Sequence, residues 1–226
     1  EINKVAVIGA GVMGAGIAAH IANAGVPVVL LDIVPKGAAN RNALAEGAVQ
    51  KMLKTKPKSF MHPSRARLVT TGNLDDNLDL LADADWIVEA VIENVEIKRR
   101  LYATLDGVRK AGSIVSSNTS TIPLGHLVEG QSAAFKADFL ITHFFNPPRY
   151  MRLLELVAGP ETRADAVETM RRFGDHRLGK GVVDCKDTPG FIAHRIGPFW
   201  LQGAVVEAMD RGLDIEAVDG LLSKPV

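Results

Sequence analysis

The stretch VAVIGAGVMGAG, residues 5–16, decides the fold of this chain. Its Gly9, Gly11 and Gly14 follow the G-x-G-x-x-G spacing, which alone is a weak signal because it arises by chance in any glycine-rich sequence. The context strengthens it. The motif follows a strand-like apolar run and opens a segment of helical period, and the next strand ends in Asp32, about 20 residues further on. These features predict a dinucleotide-binding βαβ unit.

The glycines of this motif each have a physical role in holding a dinucleotide. Gly9 permits the tight turn, Gly11 lets the backbone approach a pyrophosphate, and Gly14 lets helix and strand pack closely. The backbone N–H groups at the start of the helix, at Val12 and Met13, are available to an anion. A tight glycine turn without a ligand is the alternative, and the complete pattern makes it the weaker interpretation.

The end of the second strand indicates which dinucleotide binds. Asp32 would accept hydrogen bonds from a ribose diol, and its charge would repel a 2′-phosphate. Ile33 follows it, where an NADP enzyme would often supply an arginine. We therefore predict NAD as the cofactor, and we predict no metal site.

Short β-branched runs alternate with longer segments of helical period over residues 1–186. This alternation is typical of an α/β, Rossmann-like fold with a mostly parallel, doubly wound sheet covered by helices on both faces. The predicted strands read KVAVIG, PVVLLD, ARLVTTG, DWIVEA, SIVSSN, FLITHFF, LLELVAG and GVVDC. The predicted helices read GAGIAAHIANAG, GAANRNALAEGAVQKMLK, NVEIKRRLYATLDGVRK and ADAVETMRRFG.

The pattern changes near Asp187. The stretch TPGFIAHRIGPFWLQGAVVEAMDRG has a Pro-Gly start and then a long apolar-periodic run without strands. We predict a dinucleotide-binding domain over residues 1–186 and the beginning of an all-helical domain over residues 187–226. Because the chain begins at Glu1 without a methionine and stops just after a helical pattern, we expect it to be a fragment.

The composition bounds the classes of function. With 226 residues, 47% hydrophobic and 23% charged, the chain is not of the disordered type. Lys+Arg and Asp+Glu both number 26, so no net field recruits nucleic acid or an anionic membrane. No apolar run approaches the roughly 20 residues that cross a bilayer, so no membrane insertion is expected. Cys185 is the only cysteine, which fits a reducing, cytoplasmic compartment.

A polar segment, SSNTSTIP at residues 116–123, follows a predicted strand. Ligands of open α/β sheets lie outside the carboxyl ends of the strands, so Asn118, Thr119 and Ser120 are candidates to meet a cofactor or substrate. The alternative is an Asx or Ser/Thr turn that caps the next helix. The spacing alone favours neither of the two interpretations.

A histidine and a glutamate interrupt two apolar runs in LITHFFNPPRYMRLLELV, residues 140–157. His143 alone is more often a satisfied core histidine than a catalyst. Glu155 favours a paired histidine over an isolated core histidine, because a buried carboxylate needs a hydrogen-bonded partner. If the two runs are neighbouring strands, a hydrogen bond would satisfy both groups and leave one ring nitrogen as a general base. A purely structural pair is the alternative.

The motifs GAGVMGAGIA, VEA at residues 88–90, SSNTS, HFFNP and CKDTPGFI come in the order and approximate spacing of the L-3-hydroxyacyl-CoA dehydrogenases. The resemblance covers essentially the whole chain. The phrase THFFNPPRYMRLLELVAG looks most like bacterial members fused to a downstream enoyl-CoA hydratase. The resemblance implies NAD-dependent oxidation of the 3-hydroxyl of an acyl-CoA in fatty-acid β-oxidation.

The resemblance also implies roles for single residues. His143 matches the catalytic base and Glu155 its orienting carboxylate, while Ser120 matches a serine that binds the reacting oxygen. Asn146 matches a residue near nicotinamide and substrate. Cofactor-side positions are matched by Glu89, Lys98 and Asn118, and the region that contacts CoA phosphates in relatives holds Lys51, Lys54, Lys56 and Lys58.

Two features depart from the family pattern. The family has Asn in PGFI-x-N-R, where its amide binds the substrate carbonyl, and this chain has His194. A neutral imidazole donates one hydrogen bond but is bulkier, so activity is expected to fall or the substrate range to shift. A charged His194 would instead help to stabilise a developing alkoxide, so the sign of the effect stays open. The helical domain of relatives, which forms the dimer, is much longer than residues 187–226. Exposed Phe199, Trp200 and Leu201 would need cover, so we expect a homodimer or a missing segment.

Three functions stay open on the sequence. The first is an active dehydrogenase. The second is an NAD-binding structural or regulatory module without catalysis, which His194 and the short C-terminus favour and His143, Glu155 and Ser120 oppose. The third is another β-hydroxyacid dehydrogenase, a class that usually relies on a lysine in a later helical domain.

Overall fold

A single mixed sheet of eight strands organises the first part of the chain in the computed structural model, which describes residues 1–222. The spatial order is β3-β2-β1-β4-β5-β6-β7-β8, and every neighbouring pair is parallel except β6 and β7. The mostly parallel, Rossmann-like sheet predicted from the alternation is confirmed. The strands are β1 Val5–Ile8, β2 Val28–Asp32, β3 Val69–Asn73, β4 Trp86–Glu89, β5 Ile114–Ser117, β6 Phe139–Phe144, β7 Leu153–Ala158 and β8 Gly181–Cys185.

Helices connect the parallel strands and cover both faces of the sheet, as right-handed βαβ connections require. In the described residues they are α1 Val12–Asn23, α2 Ala43–Lys54, α3 Val95–Val108, α4 Leu124–Leu127, α5 Ala133–Asp138, α6 Ala164–Arg172, α7 Ala193–Asp210 and α8 Ile215–Leu222. Short 3₁₀ turns span Pro63–Leu68 and Leu78–Leu81, and a π-helical turn, Phe173–Arg177, continues α6.

The second helix begins later than the sequence pattern predicts. The apolar period indicated a helix from residue 37, but α2 begins at Ala43. Gly37 has φ +73°, and the Asn40 side chain accepts a hydrogen bond from the backbone N–H of Asn42 at 3.0 Å. Local side-chain bonds of this kind hold the backbone in turns and compete with a helix. The 3₁₀ turns and the short α4 and α5 were not predicted, because they are too brief to show a period.

Alternation along the strands places two aromatic clusters on opposite faces of the sheet. On one face Trp86 packs against Phe144 and Phe173, with ring centroids 6.5 and 5.8 Å apart. On the other face Tyr102 of α3 packs against Phe135 and Phe139 at 5.5 and 5.1 Å. That second face also carries His143 and Glu155, so the candidate catalytic pair lies on the side covered by α3 and α5.

The described residues divide into two compact units. The first runs from Glu1 to Pro189 and contains the whole sheet, and the second begins at Gly190 and contains α7 and α8. The assignment of these parts to a cofactor domain and the start of a substrate domain stays a prediction. None of the helices described is both long and apolar enough to cross a bilayer.

Candidate active site

The glycine turn between β1 and α1 is packed tightly on one side and open on the other. Gly9 has φ +102°, and a side chain there would place its Cβ 2.7 Å from the carbonyl oxygen of Ala90. A Cβ on Gly14 would lie 1.8 Å from the carbonyl oxygen of Gly9. Gly11, in contrast, has nothing within 4 Å of the corresponding position. The turn therefore presses against the end of β4 and leaves space above Gly11.

The start of α1 suits an anion in that space. Gly11 is the N-cap and supplies no side-chain hydrogen bond, and no acidic residue lies in the first turn. Val12, at the first helical position, is 67% exposed. The first N–H groups of a helix have no partner within it and carry partial positive charge, so they attract a phosphate.

Asp32 lies at the end of β2, across from the glycine turn. Its carboxylate accepts hydrogen bonds from the backbone N–H groups of Ala10 at 2.5 Å and Ile33 at 2.6 Å. These bonds fix the carboxylate beside the turn, while the side chain keeps partial exposure. A carboxylate has about four acceptor positions, so it retains capacity for a ribose hydroxyl. The turn and Asp32 thus fit a dinucleotide.

The polar segment after β5 contains a Ser/Thr turn, one of the two interpretations that the sequence left open, while contact with a cofactor or substrate stays a prediction. Asn118 accepts a hydrogen bond from the Phe144 backbone N–H at 2.8 Å, which ties the ends of β5 and β6 together. Thr119 forms a Ser/Thr turn, because its hydroxyl accepts from the N–H of Ile122 at 3.1 Å. Ser120 is partly exposed at the same edge of the sheet. Its role with the reacting oxygen stays a prediction.

His143 and Glu155 are directly opposite each other on the antiparallel strands β6 and β7. The Nδ1 atom of His143 lies 2.7 Å from a carboxylate oxygen of Glu155, and the two residues are 5% and 0% exposed. The Phe145 ring packs on the imidazole with centroids 4.5 Å apart. The predicted pairing of the two strands and of the two side chains is confirmed. This geometry fixes Nδ1 of the imidazole against the carboxylate.

A second buried pair lies on the same face of the sheet. The Glu89 carboxylate, 0% exposed, accepts from Lys98 Nζ at 2.6 Å, Tyr102 at 2.6 Å and Ser117 at 2.8 Å. It also accepts from the Val91 backbone N–H at 2.7 Å. Burial beside this charge raises the pKa of Tyr102 well above its ordinary value. These bonds hold the Glu89 carboxylate in place below the carboxyl edge of the sheet. The cofactor-side role that the resemblance implies for Glu89 stays a prediction.

Glu93 is a carboxylate at this edge that the sequence analysis did not select. It is half-exposed, lies 3.3 Å from Lys98 Nζ and accepts hydrogen bonds from Thr119 and Thr121. Burial alone would raise the pKa of Glu93, but the bond from Thr119 and the charge of Lys98 lower it. Lys98, 1% exposed, therefore links the buried Glu89 to the rim. Its cofactor role stays a prediction.

The remaining candidates are exposed side chains. Asn146 is exposed on the turn that follows β6, one residue after Phe145. His194 is exposed near the start of α7, in the second unit. The basic run is exposed at the end of α2 and the loop after it, at Lys51, Lys54, Lys56 and Lys58. In the described part of the chain, no group of three or more His, Cys, Asp or Glu side chains is arranged to hold a metal ion.

The glycine turn, the fixed Asp32 and the strand order define a nicotinamide-dinucleotide-binding protein of the Rossmann class. The family model of the 3-hydroxyacyl-CoA dehydrogenase, NAD binding domain, matches residues 4–188. The chain belongs to the 3-hydroxyacyl-CoA dehydrogenase family, as the resemblance indicated, and its cofactor is NAD.

Three known proteins illustrate the similarity. A probable 3-hydroxyacyl-CoA dehydrogenase of Bacillus subtilis is 48% identical, over 98% of this chain and 30% of that protein. One of the same name from Deinococcus radiodurans is 47% identical, over 98% of this chain and 64% of that protein. The crystal structure of 3-hydroxybutyryl-CoA dehydrogenase from Escherichia coli matches with a TM-score of 0.77 and 30% identity, over 93% of this chain and 43% of the other. The chain thus spans less than two thirds of these relatives.

Replacing Asp32 with asparagine tests the preference for NAD. We expect the ratio of NADH to NADPH affinity to fall by about 10- to 100-fold, because the variant loses a charged acceptor for the ribose and no longer repels a 2′-phosphate. Dissociation constants from NADH and NADPH fluorescence titrations measure the ratio. Asp79→Asn, at an exposed carboxylate on the turn after β3, is the control. An unchanged ratio in Asp32→Asn would contradict the assignment.

Proposed function

We propose that the protein oxidises the 3-hydroxyl of an L-3-hydroxyacyl-CoA to the 3-oxoacyl-CoA in fatty-acid β-oxidation. The observation that carries the proposal is the buried His143–Glu155 pair, 2.7 Å apart, in the same compact unit as the NAD-binding turn. The names of the relatives support the substrate class.

In this reaction His143 is the general base. Its Nε2 takes the proton of the substrate's 3-hydroxyl, while Glu155 holds Nδ1–H and stabilises the imidazolium that forms. Bound NAD supplies the acceptor for the hydride that leaves C3. Because Glu155 is fully buried, its interaction with the imidazolium is little weakened by solvent. In the reverse direction the same imidazolium returns the proton to the oxygen.

Polar groups at the carboxyl edge of the sheet complete the site. Ser120 would donate a hydrogen bond to the reacting oxygen, which carries growing negative charge as its proton leaves. Asn118 holds the end of β6 through the Phe144 N–H, and Asn146 would lie near nicotinamide and substrate. The glycine turn at Gly9, Gly11 and Gly14, the N–H groups of Val12 and Met13, and Asp32 would hold the dinucleotide.

We propose further that the complete protein is a cytoplasmic bacterial homodimer with additional domains, including a fused enoyl-CoA hydratase. The chain matches only 30% of the Bacillus subtilis relative, which leaves room for such domains. Phe199 and Trp200 of α7 are 80% and 57% exposed, and apolar side chains of this size favour cover by another surface.

NADH consumption with acetoacetyl-CoA, followed by absorbance, tests the proposal on the chain and on His194→Asn. We expect turnover in both, with the asparagine variant faster by about 10-fold, because its amide replaces a bulkier donor toward the substrate carbonyl. Lack of turnover in both, while NADH still binds, would favour the non-catalytic module that His194 suggests. Turnover lost in His194→Asn alone would show that the imidazole itself is required.

A further inference from the structure

Lys180, immediately before β8, is a buried lysine that the mechanism above does not use. It is 3% exposed. Its Nζ donates hydrogen bonds to the carbonyl oxygens of Pro148 and of Met151, the latter at 2.7 Å. The same ammonium lies 5.7 Å from the centroid of the Phe144 ring. Lys180 therefore contacts the end of β6 and the connection that leads from it to β7.

The two carbonyl groups belong to one turn, residues 147–151, that follows Asn146. The backbone N–H groups of Tyr150 and Met151 both donate to the Pro147 carbonyl, at 2.9 and 3.0 Å, which closes the turn. A cation suits carbonyl groups that a turn leaves without backbone partners. The ammonium thus supplies donors that keep the turn in one conformation.

The rest of the turn is held by packing and by contacts to the loop after α2. A Cβ on Gly16 of α1 would lie 2.8 Å from Pro148, so helix and turn touch closely. Arg149 donates to the carbonyl oxygens of Lys58 at 2.6 Å and Phe60 at 3.3 Å. Lys180 contacts the turn from the side of β8. This strand pairs with β7, which carries Glu155.

We propose that Lys180 is a positioning residue for the dehydrogenase reaction, whose ammonium fixes the 147–151 turn and thereby sets Asn146 and the end of β6 beside His143. The proposal rests on the function proposed above. It assigns Lys180 no contact with substrate or cofactor.

The charge of Lys180 is sensitive to mildly alkaline pH. Burial lowers the pKa of Lys180 from 10.5 to about 8. Among the described residues, the titratable and charged groups that face it are His20 of α1 and Arg149 of the turn. Burial, with the charge of Lys180 nearby, lowers the pKa of His20 to about 4, so that ring is neutral at working pH. Between pH 7 and 9 the charge that changes in this group is that of Lys180.

The proposal is tested by Lys180→Met in the full-length protein, with Lys110→Met, at an exposed lysine, as the control. At pH 7 we expect kcat for acetoacetyl-CoA reduction to fall about 10- to 100-fold in Lys180→Met, with the KM for NADH little changed. The ratio of wild-type to variant kcat should shrink as pH rises through about 8, since the wild type then loses the ammonium that the variant lacks at every pH. Lys110→Met, measured over the same pH range, is the reference for pH effects that do not depend on Lys180.

Hydrogen exchange of the backbone N–H groups of Tyr150 and Met151 provides a second measurement that needs no turnover. Faster exchange in Lys180→Met than in wild type and Lys110→Met at pH 7 supports the positioning of the turn. Unchanged exchange overturns it, whatever the activity. A kcat ratio that does not vary between pH 6.5 and 9.5 overturns the role of the charge. An inactive wild-type protein would refute the proposed function alone, because the exchange measurement still decides whether Lys180 holds the turn.

Discussion

His143→Ala is expected to lower kcat for acetoacetyl-CoA reduction by about 100- to 10,000-fold, the usual contribution of a general acid–base group. The variant retains the glycine turn and Asp32, so the dissociation constant for NADH should change little. Steady-state kinetics and NADH fluorescence titration measure the two quantities. A large loss of rate with intact cofactor binding separates a catalytic role from a structural one.

Glu155→Gln should lower kcat as well, because an amide of the same shape cannot stabilise the imidazolium and does not select the tautomer with a proton on Nδ1. His176→Ala, at a histidine that is exposed on the π-helical turn, is the control and should retain full activity. A loss smaller than about 10-fold in both His143→Ala and Glu155→Gln would contradict the assignment of the pair as the general base and its orienting group.

Glu89→Gln is expected to destabilise the fold strongly while leaving the surface unchanged. Glu89 and Lys98 have side chains that are 0% and 1% exposed, so the substitution leaves the buried ammonium with only the more exposed Glu93 as a counter-charge. Breaking a buried ion pair from one side costs about 3–5 kcal/mol. Urea unfolding followed by circular dichroism measures the loss.

The double variant Glu89→Gln/Lys98→Met separates the charge effect from the hydrogen bonds. It should recover much of the lost stability, because removing both charges of a buried pair is often neutral. Glu161→Gln, which removes one partner of the more exposed Lys136–Glu161 pair, should cost less than about 1 kcal/mol. If Glu89→Gln costs no more than Glu161→Gln, the buried carboxylate is not the counter-charge that holds Lys98.

The sequence predicts those parts of the site whose signals are local. The spacing of Gly9, Gly11 and Gly14 with Asp32 predicts the first βαβ unit, since each of these residues meets a requirement of the backbone or of the ligand within that unit. The pairing of His143 with Glu155 follows from the cost of burying a lone carboxylate. Both predictions depend only on contacts between strands that follow one another in the sequence.

Other features depend on contacts between segments far apart in the chain. Lys180 meets the 147–151 turn across 32 and 29 residues, at Pro148 and Met151, and nothing in its own neighbourhood indicates burial. Lys98 is buried only because α3 packs it against Glu89, a contact that the helical pattern of its own segment does not indicate. The antiparallel direction of β7 could not be predicted either, because a short apolar run has the same pattern in a parallel and in an antiparallel strand.

The antiparallel return of β7 after β6 keeps the proposed base and its carboxylate in one short piece of chain. His143 and Glu155 are 12 residues apart, whereas Ser117 and Glu89 in the other buried cluster are separated by 28. The entropic cost of closing the shorter loop is smaller. A split or circularly permuted protein with its new ends outside residues 139–158 would keep base and carboxylate on one fragment, whereas a cut within residues 145–152 would put them on different fragments.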